Sequence, residues 1–534
     1  MKRYEMIVIG AGPAGLSAAI EAAQSGLEVV VFDENEWPGG QLFKQIHKFF
    51  GSREHQARTR GVKIGQNLLE AARGIGVKVV LGATVLGIYK NKEIAVRLEG
   101  EVRNCKADAI VIATGASENM MTFDGWTLPG VMGAGAAQTL MNLHGVRPGK
   151  KILMVGSGNV GLVVSFQLKQ AGCDVVAVVD AAARIGGYGV HAAKLARTGV
   201  PFYTSHTVVK AVGAEKVEGA VIAEVGADFT PIPGTEMPLD IDTVCIAVGL
   251  SPMSQLADNA GAELVYDPAK GGYVAALTDE GETSVKGLFC AGDVAGIEEA
   301  SSAMIQGKIA AAAAARDLGY ITAADFETKA FGYKESLAKI RAGMFAPGNK
   351  GRTDIVQTDE GYPLSESLLA RGFLSDAEAA AFPAAGIGGG GGGPRPVIEC
   401  TQNIPCDPCQ DVCPKGCILV GDNITALPQI AGEKACSGCA LCVGACSGQA
   451  IFLVNETYED GYGTVGLPYE FVPLPQKGDK GRALGRDGGE LCGAEVVEVR
   501  AGAAMDKTPM VVMKVPVSEI ARARFFRPES EGGI

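Results

Sequence analysis

The stretch Met6-Ile-Val-Ile-Gly-Ala-Gly-Pro-Ala-Gly-Leu-Ser-Ala-Ala-Ile20 decides the fold of the first half of this chain, and Val29-Val-Val-Phe-Asp33 completes its reading. Four apolar residues make a buried strand, Gly10, Gly12 and Gly15 make a turn without side chains, and Leu16 to Ala23 reads as a helix. Such a turn lets the backbone approach a pyrophosphate, whose charge then sits at the positive end of the helix. Asp33 ends the next apolar strand, at the roughly 20-residue distance where a carboxylate accepts hydrogen bonds from a ribose. The glycine pattern alone is a weak signal. With a strand before it, a helix after it and the acid in place, it predicts a bound dinucleotide.

Composition bounds the rest. At 534 residues, with 47% hydrophobic residues and 74 glycines, the length allows about three or four domains. A formal charge of -12 argues against nucleic acid or anionic lipid as the main partner, since either asks for a basic patch. Met-Lys-Arg before an apolar run resembles the start of a secretory signal, but that run is the glycine turn itself and Glu21 follows it, so a cytoplasmic location is expected. The alanine run Ala310 to Ala315, flanked by Lys308 and Arg316, is too short to span a membrane. Of fourteen cysteines, nine fall between Cys400 and Cys446, which points to metal rather than disulfides. Cys105, Cys173, Cys245, Cys290 and Cys492 are scattered and read as small apolar packing residues.

Further along, Gly39-Gly40-Gln41 is a loop whose backbone can come close to a flavin. Lys44-Gln-Ile-His-Lys-Phe-Phe-Gly-Ser-Arg-Glu-His55 mixes basic and aromatic residues, as a solvated loop or as the lining of a pocket. Short runs from Val77 suggest a strand meander ending in Ala109-Ile-Val-Ile-Ala-Thr114-Gly115. The opening then repeats: Lys151-Ile-Leu-Met-Val155 leads into Gly156-Ser-Gly158-Asn-Val-Gly161, with Asp180 ending Val175-Val-Ala-Val-Val-Asp180. Asp180 repels a 2′-phosphate, which favours NAD(H) over NADP; Arg184 nearby moderates the preference. Cys245-Ile-Ala-Val-Gly249 and Gly287-Leu-Phe-Cys-Ala-Gly292-Asp293 follow, then a helical run from Ala300 to Asp317.

The order of these motifs, with Ala113-Thr-Gly115, Ala247-Val-Gly249 and Ala291-Gly-Asp293 between the glycine turns, resembles the two-dinucleotide-binding flavoprotein superfamily that includes thioredoxin reductase. The resemblance covers about residues 3 to 318. It implies an FAD site at Gly10, Gly12, Gly15, Asp33, Gly40, Gln41, Thr114 and Gly115, joined by Gly292 and Asp293, and a nicotinamide site at Gly156, Gly158, Gly161, Asp180 and Gly249. The first 399 residues hold no C-x-x-C, which argues against a thiol relay. Asp124-Gly-Trp-Thr-Leu-Pro-Gly130 and Gly135-Ala-Ala-Gln-Thr-Leu140 are similar to the nucleotide-binding alpha subunits of dye-linked proline and amine dehydrogenase complexes and of hydrogen cyanide synthase.

Cys436-x-x-Cys439-x-x-Cys442-x-x-x-Cys446 has the spacing of bacterial ferredoxins, in which three cysteines hold one cubane and the fourth reaches the other. Structural zinc, the competitor, usually takes separated pairs. Shifting the motif back by 33 positions places Cys406, Cys409 and Cys413 under Cys439, Cys442 and Cys446, an internal repeat in which Asn403 replaces the first cysteine and Cys400 stands three residues earlier. The expected ligands are Cys400, Cys406, Cys409 and Cys446 for a first [4Fe-4S] cluster and Cys436, Cys439, Cys442 and Cys413 for a second. An alternative uses Cys417 or leaves the first cluster with three irons.

The fold class expected is α/β: two Rossmann-like domains, a ferredoxin-like α+β dicluster domain and a small β-rich tail. Their bounds are 1–117 with 251–319 for FAD, 118–250 for NAD(P), 320–385 for a helical connection, 386–396 for a Gly/Pro linker, 397–455 for the clusters and 456–534 for the tail. The chain reads as an oxidoreductase subunit passing electrons between NAD(H), FAD and two clusters, with no side chain identified as catalytic. Expected partners are a second dehydrogenase subunit, through which the small-molecule substrate is reached, and soluble ferredoxin. Two alternatives stand beside it. One resembles the small subunit of glutamate synthase, although there the clusters precede the flavoprotein; the other is a non-catalytic electron-transfer or assembly subunit.

Overall fold

The computed structural model describes residues 2–343, 360–382, 384–385, 393–431 and 436–529, so most of the expected Gly/Pro linker, 386–392, lies outside the described residues. The chain forms two compact units: residues 2–119 with 249–343, and residues 120–248 with those from 360 on.

In the first unit the opening strand Lys2–Ile9 lies between Val29–Phe32 and the long strand Glu101–Ile112, parallel to both. Lys78–Val80 continues the sheet on one side and Leu288–Cys290 pairs parallel to Glu101–Ile112 on the other. A parallel sheet covered on both faces needs strands that are apolar throughout. Met6 and Val8 accordingly join one core, with Leu16, Ala18 and Ala310, while Ile7 and Ile9 join another with Ile88, Ile94 and Ile110. The earlier half of Glu101–Ile112 pairs antiparallel with Glu93–Leu98, which pairs with Thr84–Ile88; this is the meander read after Val77. The alanine run is buried in the helix Ala300–Asp317, which packs on the helix Pro13–Gln24. Their approach is so close that a Cβ on Gly307 would lie 2.2 Å from the Ala14 carbonyl oxygen. Among the described residues no helix is long and apolar enough to cross a membrane.

The second unit holds a five-stranded parallel sheet in the order Phe202–Thr204, Asp174–Asp180, Lys151–Val155, Thr243–Ile246, Val131–Gly133. It also holds a seven-stranded antiparallel sheet, in the order Arg395–Ile398, Ile451–Glu459, Tyr462–Pro468, Met510–Pro516, Glu490–Arg500, Lys480–Leu484, Phe525–Pro528. Side chains alternate across a strand, and here both faces are covered. Val397, Phe452, Val454, Val511, Met513 and Val515 share one core with Ile152, Phe166, Leu168 and Leu195 of the parallel-sheet half. Ile398, Ile451, Leu453, Met510 and Val512 pack with Ile418, Cys442 and Val443 of the cysteine-bearing segment. The antiparallel sheet is thus a wall between a nucleotide-type fold and the cysteines, and on the nucleotide side Phe166 meets Phe471 edge-on with ring centroids 5.3 Å apart.

Candidate functional site

The two glycine turns have the same construction. Gly10 has φ +104° and a Cβ there would stand 2.3 Å from the Ala113 carbonyl oxygen; Gly156 has φ +106° and meets the Ala247 carbonyl oxygen at the same 2.3 Å. A Cβ on Gly15 would lie 1.9 Å from the Gly10 oxygen, and one on Gly161 would lie 2.1 Å from that of Gly156. At the middle glycines, Gly12 and Gly158, no atom lies within 4 Å of such a Cβ. The outer glycines are therefore required by the fold itself, whereas the middle ones leave open the space a diphosphate needs. Gly12 and Gly158 are also the N-caps of the following helices and place no side chain on the first free N–H groups. Those donors and the positive helix end remain available to an anion.

Each acid is fixed by its own turn. Asp33 accepts from the Ala11 N–H at 2.6 Å and from the Asn35 N–H at 2.8 Å. Asp180 accepts from the Ser157 N–H at 2.7 Å, from Ser157 Oγ at 2.6 Å and from the Ala182 N–H at 2.9 Å. Arg184 is paired with Glu366 at 2.9 Å.

Around the first turn, the Gly39 N–H donates to the Ala11 carbonyl at 2.7 Å, and a Cβ on Gly40 would come within 3.0 Å of Gly12 Cα. Gln41 beside them is exposed. Thr114 Oγ1 donates to the Met253 carbonyl and Gly115, with φ +74°, accepts from the Met253 N–H. Gly292, at φ +79°, would press a Cβ to 2.8 Å from that of Ala14, and its N–H donates to Gln306. Asp293 accepts from the Glu298 N–H at 3.3 Å. Gly249 falls in the first unit, where its carbonyl accepts from the Asn119 N–H at 3.0 Å. The basic and aromatic segment is packed rather than solvated: Lys48, Phe49 and His55 are buried, and burial lowers the pKa of Lys44 and of His55.

The cysteines are arranged by strand register. Ile398 pairs with Ile451 and the Glu399 N–H donates to the Ala450 carbonyl, which brings the Cys400 and Cys446 segments side by side although 46 positions separate them. Burial pushes the Cys400 thiol up to about 12, with Cys446 adding like charge; burial likewise raises Cys409, with Cys446 and Cys400 adding to it. Cys436 is raised by burial and then by Cys439 and Cys413, and Cys442 by burial and then by Cys436 and Cys439. Cys406 begins its turn with an N–H bond to the Ile424 carbonyl. Backbone N–H groups point at three of the sulfurs: Cys417 to Cys413 at 3.2 Å, Gly438 to Cys436 and Ala450 to Cys446 at 3.3 Å each. Cys417 itself is buried. Among the described residues no group of three or more His, Cys, Asp or Glu side chains is arranged to hold a metal ion as the thiols stand. A cubane spaces its four thiolates more widely than a single ion does, and thiols that repel one another's charge while accepting N–H bonds are a donor set suited to it.

Sequence reasoning missed the residues behind these thiols. Glu399 is buried and its Oε1 accepts from Arg486 Nε at 2.8 Å and Arg524 Nε at 2.6 Å. Arg197 ends the helix Gly189–Ala196 and donates to the Gln449 carbonyl at 3.0 Å; at the helix start the Gly189 N–H donates to Gln402 Oε1 at 2.7 Å. No local pattern announces such pairs, since each joins positions more than 80 residues apart.

The model of the family described as pyridine nucleotide-disulphide oxidoreductase matches residues 4–316. The chain is 33% identical to an opine oxidase subunit from Agrobacterium tumefaciens (strain Ach5) over 60% of its own length and 67% of that relative. It is 29% identical to the alpha subunit of sarcosine oxidase from Corynebacterium sp. (strain P-1) over 59% of its own length, and spans only 33% of that relative. Among solved structures, L-proline dehydrogenase from P. horikoshii superposes with a TM-score of 0.49 at 22% identity, covering 63% of this chain and 59% of that one.

Proposed function

We propose that this chain, which belongs to the pyridine nucleotide-disulphide oxidoreductase family, is an oxidoreductase subunit that joins NAD(H) and FAD to two [4Fe-4S] clusters within a multi-subunit dehydrogenase of the amino-acid or amine type. The observation that carries the proposal is the second unit, in which one antiparallel sheet packs the half bearing a glycine turn and its acid on one face and the segment bearing the eight expected ligands on the other. Gly10, Gly12, Gly15 and Asp33 would hold the FAD pyrophosphate and ribose, with Gly40, Gln41, Thr114, Gly115, Gly292 and Asp293 around the remainder. Gly156, Gly158, Gly161 and Asp180 would hold the nicotinamide nucleotide, and Gly249 lies on the stretch of chain that follows. Cys400, Cys406, Cys409 and Cys446 would bind the first cluster, and Cys436, Cys439, Cys442 and Cys413 the second. A flavin exchanges electrons in pairs or singly, whereas a cubane takes one at a time, so the flavin belongs between nucleotide and clusters.

The test is an anaerobic titration of the purified chain with NADH. Bleaching of the flavin followed by the electron paramagnetic resonance of reduced clusters is expected, whereas an adaptor with structural nucleotide sites would show neither. NADH should reduce the flavin more efficiently than NADPH, because Asp180 puts a carboxylate where the 2′-phosphate would sit and Arg184 is already paired with Glu366. Asp180→Ala should narrow that gap, and a preference for NADPH in the unaltered chain would overturn the assignment.

The relatives are named as subunits, and the motifs of this chain are taken up by nucleotides and thiols. The isolated chain is therefore expected to reduce artificial dyes with NADH, to oxidise no amino acid or amine, and to co-purify with a second dehydrogenase subunit from its native source. Soluble ferredoxin is the alternative partner. Substrate oxidation by the single chain in a steady-state assay would refute this.

A further inference from the structure

The two expected clusters stand in unlike electrostatic surroundings. On the side of the first cluster the buried guanidinium of Arg197 reaches the Cys446 turn, while the buried carboxylate of Glu399, next to Cys400 in the chain, is taken up by Arg486 and Arg524. Arg486 also pairs with Asp376, which is 65% exposed, and Glu470 acts on Arg197 more weakly than Glu399 does. Near Cys439 the guanidinium of Arg500 donates to the Gly438 carbonyl. It is bound by both oxygens of Glu498, at 2.7 and 3.0 Å, and faces an exposed Cys439.

Arg197 belongs to the nucleotide-binding half yet reaches the Cys446 turn. Its Nη1 donates to the Gln449 carbonyl at 3.0 Å and its Nη2 to Gln449 Oε1 at 3.5 Å. Gln449 is held at φ +53° and its N–H donates to the Cys446 carbonyl at 3.1 Å. The guanidinium lies over the Phe452 ring at 5.3 Å, a ring that Arg524 also covers at 4.9 Å. A buried positive charge therefore stands against the backbone turn that carries Cys446. A charge that stabilises one thiolate in a water-poor site also stabilises an added electron on the metal it binds.

We propose that Arg197 is not a ligand but holds the reduction potential of the first cluster, that of Cys400, Cys406, Cys409 and Cys446, above the value those buried thiolates would otherwise set, while leaving the second cluster unmoved. The inference rests on the iron-sulfur reading proposed above. It makes a residue of the nucleotide fold part of the electronic environment of a metal centre, as the groups around a ligand commonly tune what the ligand binds.

The experiment uses the full chain, purified anaerobically, as the parent and as Arg197→Gln and Arg197→Lys. Iron and acid-labile sulfide are measured first, and each cluster's midpoint is then followed by potentiometric titration with electron paramagnetic resonance detection. Arg197→Gln should keep the parent's iron and shift one midpoint to more negative potential with the other unchanged. Arg197→Lys, which keeps the charge but not the fork of hydrogen bonds, should leave both near the parent values. No shift in Arg197→Gln, an equal shift of both midpoints, or the same shift in both variants overturns the proposal. Loss of iron from Arg197→Gln overturns it as well, because the role would then be structural. A parent without iron and sulfide is a separate outcome: it removes the cluster reading itself.

Discussion

Gly15→Val is expected to yield a chain without bound flavin, and with stability reduced by at least the roughly 3 kcal/mol at the upper end of ordinary overpacking. The Cβ alone would stand 1.9 Å from the Gly10 carbonyl oxygen and 3.2 Å from a Val8 methyl. The first of these is backbone, so no side chain can swing away; the helix Pro13–Gln24 must leave the sheet it packs on. Gly12→Ala is the informative partner, since nothing lies within 4 Å of the added methyl. That variant should melt within about 1 kcal/mol of the parent yet lose flavin affinity, because the methyl fills space reserved for the ligand. Absorbance of bound flavin after gel filtration, beside a thermal melt, reads both effects. Equal flavin occupancy in Gly12→Ala and the parent would move the pyrophosphate elsewhere.

Glu399→Ala should cost the fold about 3–5 kcal/mol, the range for breaking a buried ion pair and leaving its partner charged. Here the loss strands two guanidiniums, on Arg486 and Arg524, of which the second is 1% exposed. Burial alone would raise the Glu399 carboxyl, but Arg524 and Arg486 outweigh it and hold the pKa below the ordinary value. Arg524 keeps bonds to the Ile520, Ala521 and Ala523 carbonyls, so the residue has no route to water without dismantling the last turn before Phe525–Pro528. The control is Glu490→Ala on the exposed pair with Arg482, where solvent screening leaves little to lose and a melt close to the parent's is expected. Denaturant melts of the two variants should differ several-fold in midpoint shift; similar shifts would mean that water reaches the buried arginines.

What could be read from the sequence was what is local. Gly10, Gly12 and Gly15 lie within six positions of one another, so the turn, the helix and the acid are all announced by neighbours. Cys436 to Cys446 announce themselves in the same way. The β-rich tail is legible in outline, but the strand Met510–Pro516 is apolar at both odd and even positions, and that pattern hides its role. A run buried on both faces does not say what covers each face, and here Val511 and Met513 face the nucleotide fold while Met510 and Val512 face the cysteines. Arg197, Gln402, Gln449 and Glu399 were silent for a related reason. A single buried charge has no period and no motif, and its partner is chosen by folding rather than by spacing.

The antiparallel sheet has a bearing on how this protein can be taken apart or recombined. A ferredoxin joined by a tether is a cassette: it can be excised, expressed alone, or moved to another host protein with its function intact. Here Phe452, Val465, Phe471 and Met513 complete the same interior as Ile152 and Phe166, so cutting at the glycines would expose apolar surface on both products. Transplanting residues 393–529 would require the recipient's helices to carry the matching counterparts of Phe166, Leu168 and Leu195. Changes on one side of that interior must be answered on the other. The two halves are thus bound to vary together, as a single unit of inheritance.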